Sequence, residues 1–364
     1  MDRVSPFRII AGLGLAAGLA GLPSMEAAAQ KADFAGKRIE AIVPFQPGGG
    51  SDVYIRALAP HLERHLPGNP TIIIRNVPGG GSIPGANQFQ ARAKPDGLYV
   101  IVVSASTVSN FVFQKSKVQY DLDKWQPVLL SPQGAVLYAA SGLGVKGAQD
   151  IAKLKGQRLV FGGGGPTGAE MRFTIAFELL GLDVNYVWGV QRGPTRLAFE
   201  RGEFNINYDT TPAYKKNASQ LVKAGKAVPL LTLGIQDEKG NIVRDPNFPD
   251  LPTFTEVYER MHGKKPSGPG YEAWKAIMQM NVMASKSIFL PTDTPKPILE
   301  AWRAAARNVL KDPEFEKLAA SIVEGYPQFV GEAARPIIKE ATTLSPEVWE
   351  WLKNFLKTKH DVTL

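Results

Sequence analysis

Short β-branched apolar runs alternate along this chain with longer amphipathic stretches, and glycine or proline marks most junctions. Arg38 to Phe45 reads as a first strand and Ser51 onward as a helix, with Ser51 as N-cap and Asp52 in the first turn. Pro60 should kink that helix or end it near Ala59. Thr71 to Arg75 is a second strand, and a glycine corner at Pro78 to Ser82 opens a helix reaching about Ala93. Pro95-Asp96-Gly97 then turns the chain into a third strand, Tyr99 to Ser104. This spacing predicts βαβ units, and therefore an α/β fold with a mainly parallel sheet.

The pattern continues less regularly. Val128 to Ala140 is apolar and strand-like, and long enough to leave the first sheet. Asp150 to Leu154 suggests a short helix, Arg158 to Phe161 a strand, and Ala169 to Leu180 a helix stopped by Gly181. Val184 to Trp188 is a strand, and Pro194 to Arg201 is a helix closed by Gly202. Phe204 to Tyr208 alternates with period two, Ser219 to Lys223 is helical, and Val228 to Leu233 is again a strand. Asp237 to about Pro269 is polar and rich in loops, and Met278 to Ala284 reads as a strand. The C-terminal region is helical: Pro297 to Leu310, a helix opened by Asp312-Pro313, and one opened by Ser345-Pro346 that buries Trp349, Leu352 and Leu356.

The first 29 residues stand apart. Arg3 and Arg8 precede an apolar run from Ile9 to Leu22, and Ala27-Ala28-Ala29 follows as a small-residue cleavage site. This is the pattern of a secretory signal peptide cut after Ala29, and it implies a periplasmic location. Its ~14 apolar residues fall short of the ~20 that a spanning helix needs. The chain has 364 residues, enough for two domains, and no cysteine. Disulfides, thiol catalysis, cysteine-based metal sites and a lipid-anchored cysteine are thereby excluded. The net charge of +8 is scattered, with unbroken basic runs only at Lys215-Lys216 and Lys264-Lys265. No basic stripe interleaved with aromatics favours nucleic acid, and the charge fits a small anionic ligand better.

Candidate chemistry concentrates at two glycine-rich strand-to-helix loops. In Phe45-Gln46-Pro47-Gly48-Gly49-Gly50-Ser51-Asp52 the glycines remove side chains and permit positive φ, so backbone N–H groups can converge on an anion at a helix N-terminus. The loop alone leaves open whether it grips a carboxylate or merely turns the chain. Gly162 to Gly168 is a second such loop. Micromolar affinity needs ~8 kcal/mol, while one helix terminus supplies ~0.3–1 and at most ~2 kcal/mol. Several charge-assisted hydrogen bonds of ~1.5–3 kcal/mol each are needed as well, so loops from two sides must close together. Arg172, Arg192 and Arg196 are candidates for carboxylate recognition, although Arg192 and Arg196 read better as a solvated helix face. His61 and His65 flank Glu63 without the zinc-protease spacing, so no metal site is expected. No GxSxG elbow, phosphate loop with Gly-Lys-Ser/Thr, GxGxxG spacing or paired-carboxylate motif supports an enzyme, and no cofactor is implied.

The ordered set Val43-Pro44-Phe45-x-Pro-Gly-Gly-Gly-Ser-Asp52, Asn76 to Gly81, Lys94 to Gly97, Tyr120-Asp121, Leu251 to Glu256 and Thr294-Pro295 resembles the substrate-binding proteins of tripartite tricarboxylate transporters, the Bug family. The resemblance covers nearly all of the chain after the signal. It implies a type II-like two-domain periplasmic binding protein fold with two crossing strands at the hinge. Domain I would combine residues 30–137 and 229–364, and domain II would be 138–228. The ligand would be a small organic carboxylate held by Phe45 to Asp52, by Ser104, Ser106 and Thr107, and by the domain II loop Gly163, Gly164, Gly165, Pro166, Thr167 and Gly168. Tyr208 and Asp209 match the family's acidic position.

Departures mark this chain as a divergent member. The second loop lacks the usual His, so Thr167 stands in for the family's Ser and Arg172 places positive charge nearby. The segment after Val187 reads Trp188 to Gly193 where Pro-Tyr is usual. The implied role is that of a monomeric solute-binding protein that closes like a flytrap and delivers its acid to membrane permease subunits. The alternative is a ligand-sensing module that presents the acid to a membrane sensor kinase.

Overall fold

The computed structural model describes residues 32–237, 241–323 and 325–364. The expected signal peptide, 1–29, lies outside the described residues. In chain order the elements are β1 (Arg38–Val43), α1 (Gly50–His65), β2 (Thr71–Asn76), α2 (Ile83–Arg92), β3 (Tyr99–Ser104), α3 (Ala105–Phe113), β4 (Gln126–Ser131) and β5 (Ala135–Ala140). There follow β6 (Leu159–Gly163), α4 (Met171–Leu180), β7 (Val184–Trp188), α5 (Arg192–Glu200), β8 (Ile206–Thr210), α6 (Thr211–Ala213), α7 (Ser219–Lys223) and β9 (Ala227–Thr232). The last part holds β10 (Ile235–Gln236), β11 (Ile242–Val243), α8 (Phe254–His262), α9 (Pro269–Met278), β12 (Lys286–Leu290), α10 (Lys296–Val309), α11 (Pro313–Ile322), β13 (Phe329–Val330), α12 (Arg335–Thr342) and α13 (Pro346–His360).

The main sheet has six strands in the order β13-β4-β12-β3-β1-β2. Parallel pairing holds where the sequence pattern placed it, between β1 and β2 and between β1 and β3. The other half is antiparallel, because β12 arrives from the far end of the chain and inserts between β3 and β4. Strands β3 and β12 are almost wholly buried; the near-continuous apolar run of β3 suits a strand covered on both faces, while β12 buries Lys286 and Ser287 ahead of Ile288-Phe289-Leu290. Helices α1 and α10 seal one side with Leu58, Leu62, Trp302 and Val309.

Strand β5 leaves this sheet only three residues after β4 and pairs antiparallel with β8 and β9. The turn passes Gly134, where a Cβ would lie 2.1 Å from the Asp245 carboxylate and 2.6 Å from the Tyr326 hydroxyl. A separate parallel pair, β6 and β7, carries the second glycine loop toward α4. Phe161, Phe173, Phe177 and Tyr208 stack beneath it.

Four local expectations are corrected. Residues 278–284 are not a strand: Met278 ends α9, and Gln279–Met283 make one wide helical turn. A run of seven mostly apolar residues suits a helix buried on every side as well as a strand, and here the former wins. Pro60 neither ends nor breaks α1, which runs on to His65. It sits on the exposed face with Arg56, the residue whose carbonyl loses its partner, so water can take the lost bond. Asp150 to Leu154 belongs to a tighter 3₁₀ turn, Ala148–Leu154. Within the stretch read as loops lies α8, whose capping box joins Thr253 and Glu256. No helix among the described residues is long and apolar enough to cross a membrane.

Candidate functional site

Segments distant in sequence meet around a cavity of about 50 Å³. Phe45, Gln46, Gly49, Gly50 and Ser51 come from the loop between β1 and α1, and Ser104 and Ser106 from the end of β3 and the start of α3. Gly164, Glu170 and Arg172 come from the β6–α4 connection. Arg192 opens α5, Tyr208, Asp209 and Thr210 close β8, and Lys286 begins β12.

The first loop presents backbone. Helix α1 starts at Gly50 with Gly49 as an extended N-cap, two residues before the expected cap, so Ser51 is not the cap. Ser51 is buried in the first turn and its hydroxyl donates to the Val103 carbonyl at 3.4 Å. The amides of Gly50, Ser51 and Asp52 have no carbonyl four residues back within the helix and carry its partial positive charge. Asp52 lies off the cavity. Its carboxylate accepts from the Gly48 amide (2.9 Å), Arg56 Nε (2.9 Å) and Asn76 Nδ2 (3.0 Å), which fixes the loop. Burial works to raise its pKa, but hydrogen bonds from Arg56, Gly48 and Asn76 outweigh that and hold it below the usual value. Gly48, with φ of +78°, turns the chain, and Pro47 sits beside it outside the cavity lining. At Gly50 a Cβ would stand 2.6 Å from Thr210 Oγ1 and 3.3 Å from Lys286 Cε, so any side chain intrudes on the site.

The Ser104 hydroxyl accepts from the Ser106 amide at 3.2 Å and caps α3. Thr107 is fully buried, completes this cap and donates to Ser82 Oγ at 3.0 Å, so it supports the wall without facing the cavity.

The second loop works differently from the first. Of Gly163 to Gly168, only Gly164 lines the cavity, and Gly165, Pro166, Thr167 and Gly168 border an adjoining groove. The Thr167 hydroxyl donates to Asn110 Oδ1 at 2.9 Å and accepts from Gln114 Nε2 at 3.2 Å. The Ala169 amide donates to Ser106 Oγ at 3.0 Å. This loop therefore docks onto α3. Gly163 makes room for a neighbour, since its Cβ would lie 2.4 Å from Glu170 Cγ.

Buried charge forms much of the remaining lining. Arg172 is 1% exposed. Its Nη1 donates to the Asn281 carbonyl at 2.8 Å, and its Nε has no hydrogen-bond partner. Lys286 is also buried, and among the described residues its ammonium hydrogen-bonds only to Ser285, through the carbonyl at 3.3 Å and the hydroxyl at 3.4 Å. Burial, and secondarily the charge of Arg172, pushes the Lys286 pKa down to about 7. Arg192 donates to Asn207 Oδ1 (3.0 Å) and to the carbonyls of Tyr208 (2.9 Å) and Gly162, while its Nε is left without a hydrogen bond. The guanidinium carbons of Arg192 and Arg172 lie 4.1 and 5.0 Å from the Tyr208 ring centre. The Tyr208 hydroxyl donates to Glu170 Oε1 at 3.2 Å, and burial, then Glu170, raises its pKa to about 12. Thr210 Oγ1, also buried, has no hydrogen-bond partner among the described residues.

Two expectations change here. Arg192 and Arg196 are not a solvated helix face. Arg196 is 8% exposed and grips Asp209 through two hydrogen bonds, Nε to Oδ2 at 2.9 Å and Nη2 to Oδ1 at 2.8 Å. Asp209 also accepts from the Tyr138 hydroxyl at 2.9 Å. Its charge is thus committed to the scaffold. Sequence reading missed Lys286, Glu170 and Thr210. A lysine just ahead of the apolar run Ile288-Phe289-Leu290 was the available signal for the first; the others had none. His61 and His65 both reach Asp312 Oδ2 at 3.2 Å and tie α1 to α11. His61, the Glu314 amide and Arg64 hold the Asp312 carboxyl well below the usual carboxylate range.

The chain has the fold seen in periplasmic binding proteins, with this cavity between its sheets. No family model matches the chain. Its relatives are nevertheless of the Bug and TctC type. A UPF0065 protein of Bordetella pertussis is 28% identical over 299 residues, covering 80% of this chain and 82% of the relative. The periplasmic binding protein BugD superposes with a TM-score of 0.67 at 20% identity, over 87% of this chain and 97% of BugD. MatC of Rhodopseudomonas palustris, solved with bound malate, gives 0.63 at 22% identity, over 84% and 96% of the two chains.

Proposed function

We propose that this chain is a non-enzymatic periplasmic solute-binding protein that captures a small carboxylate and hands it to a tripartite tricarboxylate-type permease. The observation that carries this reading is the pairing of buried, under-partnered cations with a helix N-terminus across one cavity. Arg172 Nε has no hydrogen-bond partner among the described residues, Lys286 has only neutral oxygens, and the first-turn amides of α1 border the same cavity. Leaving such charge uncompensated in a dry site costs several kcal/mol, and a bound carboxylate supplies what is missing. Relatives point the same way, since MatC holds malate.

In this reading residues 30–137 and 229–364 form one lobe and 138–228 the other. The boundaries fall inside β5 and β9, and the two strands serve as the hinge. Docking of the Thr167 loop on α3 then belongs to the closed state. The protein acts as a monomer, with signal-directed export.

A thermal-shift panel of di- and tricarboxylates, aromatic acids and acidic amino acids on the purified chain lacking residues 1–29, followed by calorimetry, tests capture. Stabilisation by at least one acid is expected, and no shift with any of them overturns the reading. Loss of uptake of that acid on deletion, with signalling intact, separates transport from sensing. Recovery of the bound acid unchanged is expected of a carrier and not of an enzyme.

A further inference from the structure

One charged group at the site has no place in the capture of a plain carboxylate. Glu170 is 3% exposed and stands at the entrance of α4, two residues before Arg172. Its Oε1 accepts from the Tyr208 hydroxyl and lies 3.5 Å from Arg192 Nε. Its Oε2 is buried and has no hydrogen-bond partner. That oxygen lies beside Gly168 and close to Ser106, since a Cβ on Gly168 would be 2.8 Å from Oε2 and 3.3 Å from Ser106 Oγ. Both Glu170 and Ser106 line the cavity. A carboxylate among ligand-facing cations is unfavourable to an anionic ligand in its vicinity, yet Gly163 and Gly168 leave the room that lets it sit there.

A buried acceptor oxygen with no donor needs one, and the described protein groups around Oε2 supply none. We infer that Glu170 is a specificity-determining residue that selects carboxylic acids bearing a second, hydrogen-bond-donating group, a hydroxyl or an ammonium, over plain acids of the same length. The inference rests on the capture reading above. The acid's carboxylate takes the amides of α1 with Arg172 and Lys286, and its donor takes Glu170 Oε2. An acid without the donor leaves that oxygen unpaired and brings its own negative charge toward Glu170 without compensation.

Matched series decide it. Calorimetry on the wild-type protein compares succinate with malate and aspartate, and glutarate with 2-hydroxyglutarate and glutamate. In the series whose length fits, the hydroxy or amino acid is expected to bind roughly 10- to 100-fold tighter than the plain acid. Glu170→Gln, whose amide keeps shape and can still accept, should shrink that gap to a few-fold and abolish any preference for the amino over the hydroxy acid. Equal affinity for plain and substituted acids in the wild type overturns the inference and leaves carboxylate capture standing; this comparison does not depend on the variant folding. An unchanged gap in a folded Glu170→Gln, judged by an intact melting transition, also overturns it. If no acid of any kind binds, the capture reading falls first and takes this one with it.

Discussion

The two walls of the cavity solve one problem by different means. The β1–α1 wall offers backbone: amides at the mouth of α1, with the nearby carboxylate of Asp52 turned back to hold its own loop. The facing wall offers side-chain charge from Arg172, Arg192 and Glu170, and Lys286 rises from the main sheet beside Gly50. Backbone amides are fixed in direction and indifferent to what the ligand carries beyond its acid group. Buried side chains are particular about it, because each unpaired polar atom costs free energy. Their glycines differ in the same way. Gly48 needs a left-handed conformation and Gly50 a bare Cα, whereas none of the glycines of the 162–168 loop has positive φ. Those give space to Phe204 and Glu170. In the proposed reading the first wall suits any carboxylate, and the second chooses among them.

If that division is right, perturbations should sort accordingly. Arg196→Met strands the Asp209 carboxylate in the interior and should cost roughly 3–5 kcal/mol of stability. Denaturant melts should show this loss while the protein that remains folded keeps its ligand preference. A change of ligand choice would instead make Asp209 part of the recognition wall. Arg172→Met should weaken carboxylate binding by roughly 10- to 100-fold, the worth of one or two charge-assisted hydrogen bonds, measured by calorimetry. Gly50→Ala should weaken all acids alike by about tenfold or more, because its methyl would crowd Thr210 and Lys286. A selective effect would blur the contrast between the walls.

The fourth test uses pH. The Lys286 pKa is 10.5 when unfolded and about 7 in the fold. Because the folded value is the lower, the ligand-free protein gains stability as pH rises from about 7 toward 10.5, and loses it as pH falls through 7. Anion binding runs the other way, since it favours the ammonium. Affinity should be level below about pH 7 and fall by up to about tenfold per unit above it. Lys286→Met should flatten this profile between pH 6 and 9, where Tyr208, at about 12, does not titrate. The smallest effect is expected for Thr167→Val, which removes the bridge to Asn110 and Gln114. About 0.5–1.5 kcal/mol should be lost from the ligand-bound state, read as a faster ligand off-rate with little change in the melting of the free protein.

Local rules made much of this molecule readable. The alternation of β-branched runs with amphipathic stretches placed β1, β2, β3, α1 and α4 within a few residues, because period-two and period-3.6 patterns follow from local geometry. The first glycine loop was readable as a strand-to-helix corner for the same reason, while its pattern alone left open whether it holds an anion or only turns the chain. The ordered motifs from Phe45 to Thr294 also pointed to the right class of relatives. Where neighbours compete, local rules failed. Residues 278–284 had an apolar pattern that served strand and helix equally, and only packing on all sides decided between them.

Side-chain commitment is a tertiary fact. Arg192 and Arg196 look alike in sequence, on one helix four residues apart. The fold puts Arg196 against Asp209 and Arg192 across Tyr208 and beside Glu170. Lys286 lies more than 230 residues from Gly50 in the chain, and only the insertion of β12 beside β3 brings its stem within reach of that glycine. By itself the sequence determined most of the regular elements, the glycine corner before α1 and the class of relatives. The tertiary structure decided which charges are paired off and which are left facing the cavity, because a charge's burial and partners are set by chain segments that local pattern cannot connect.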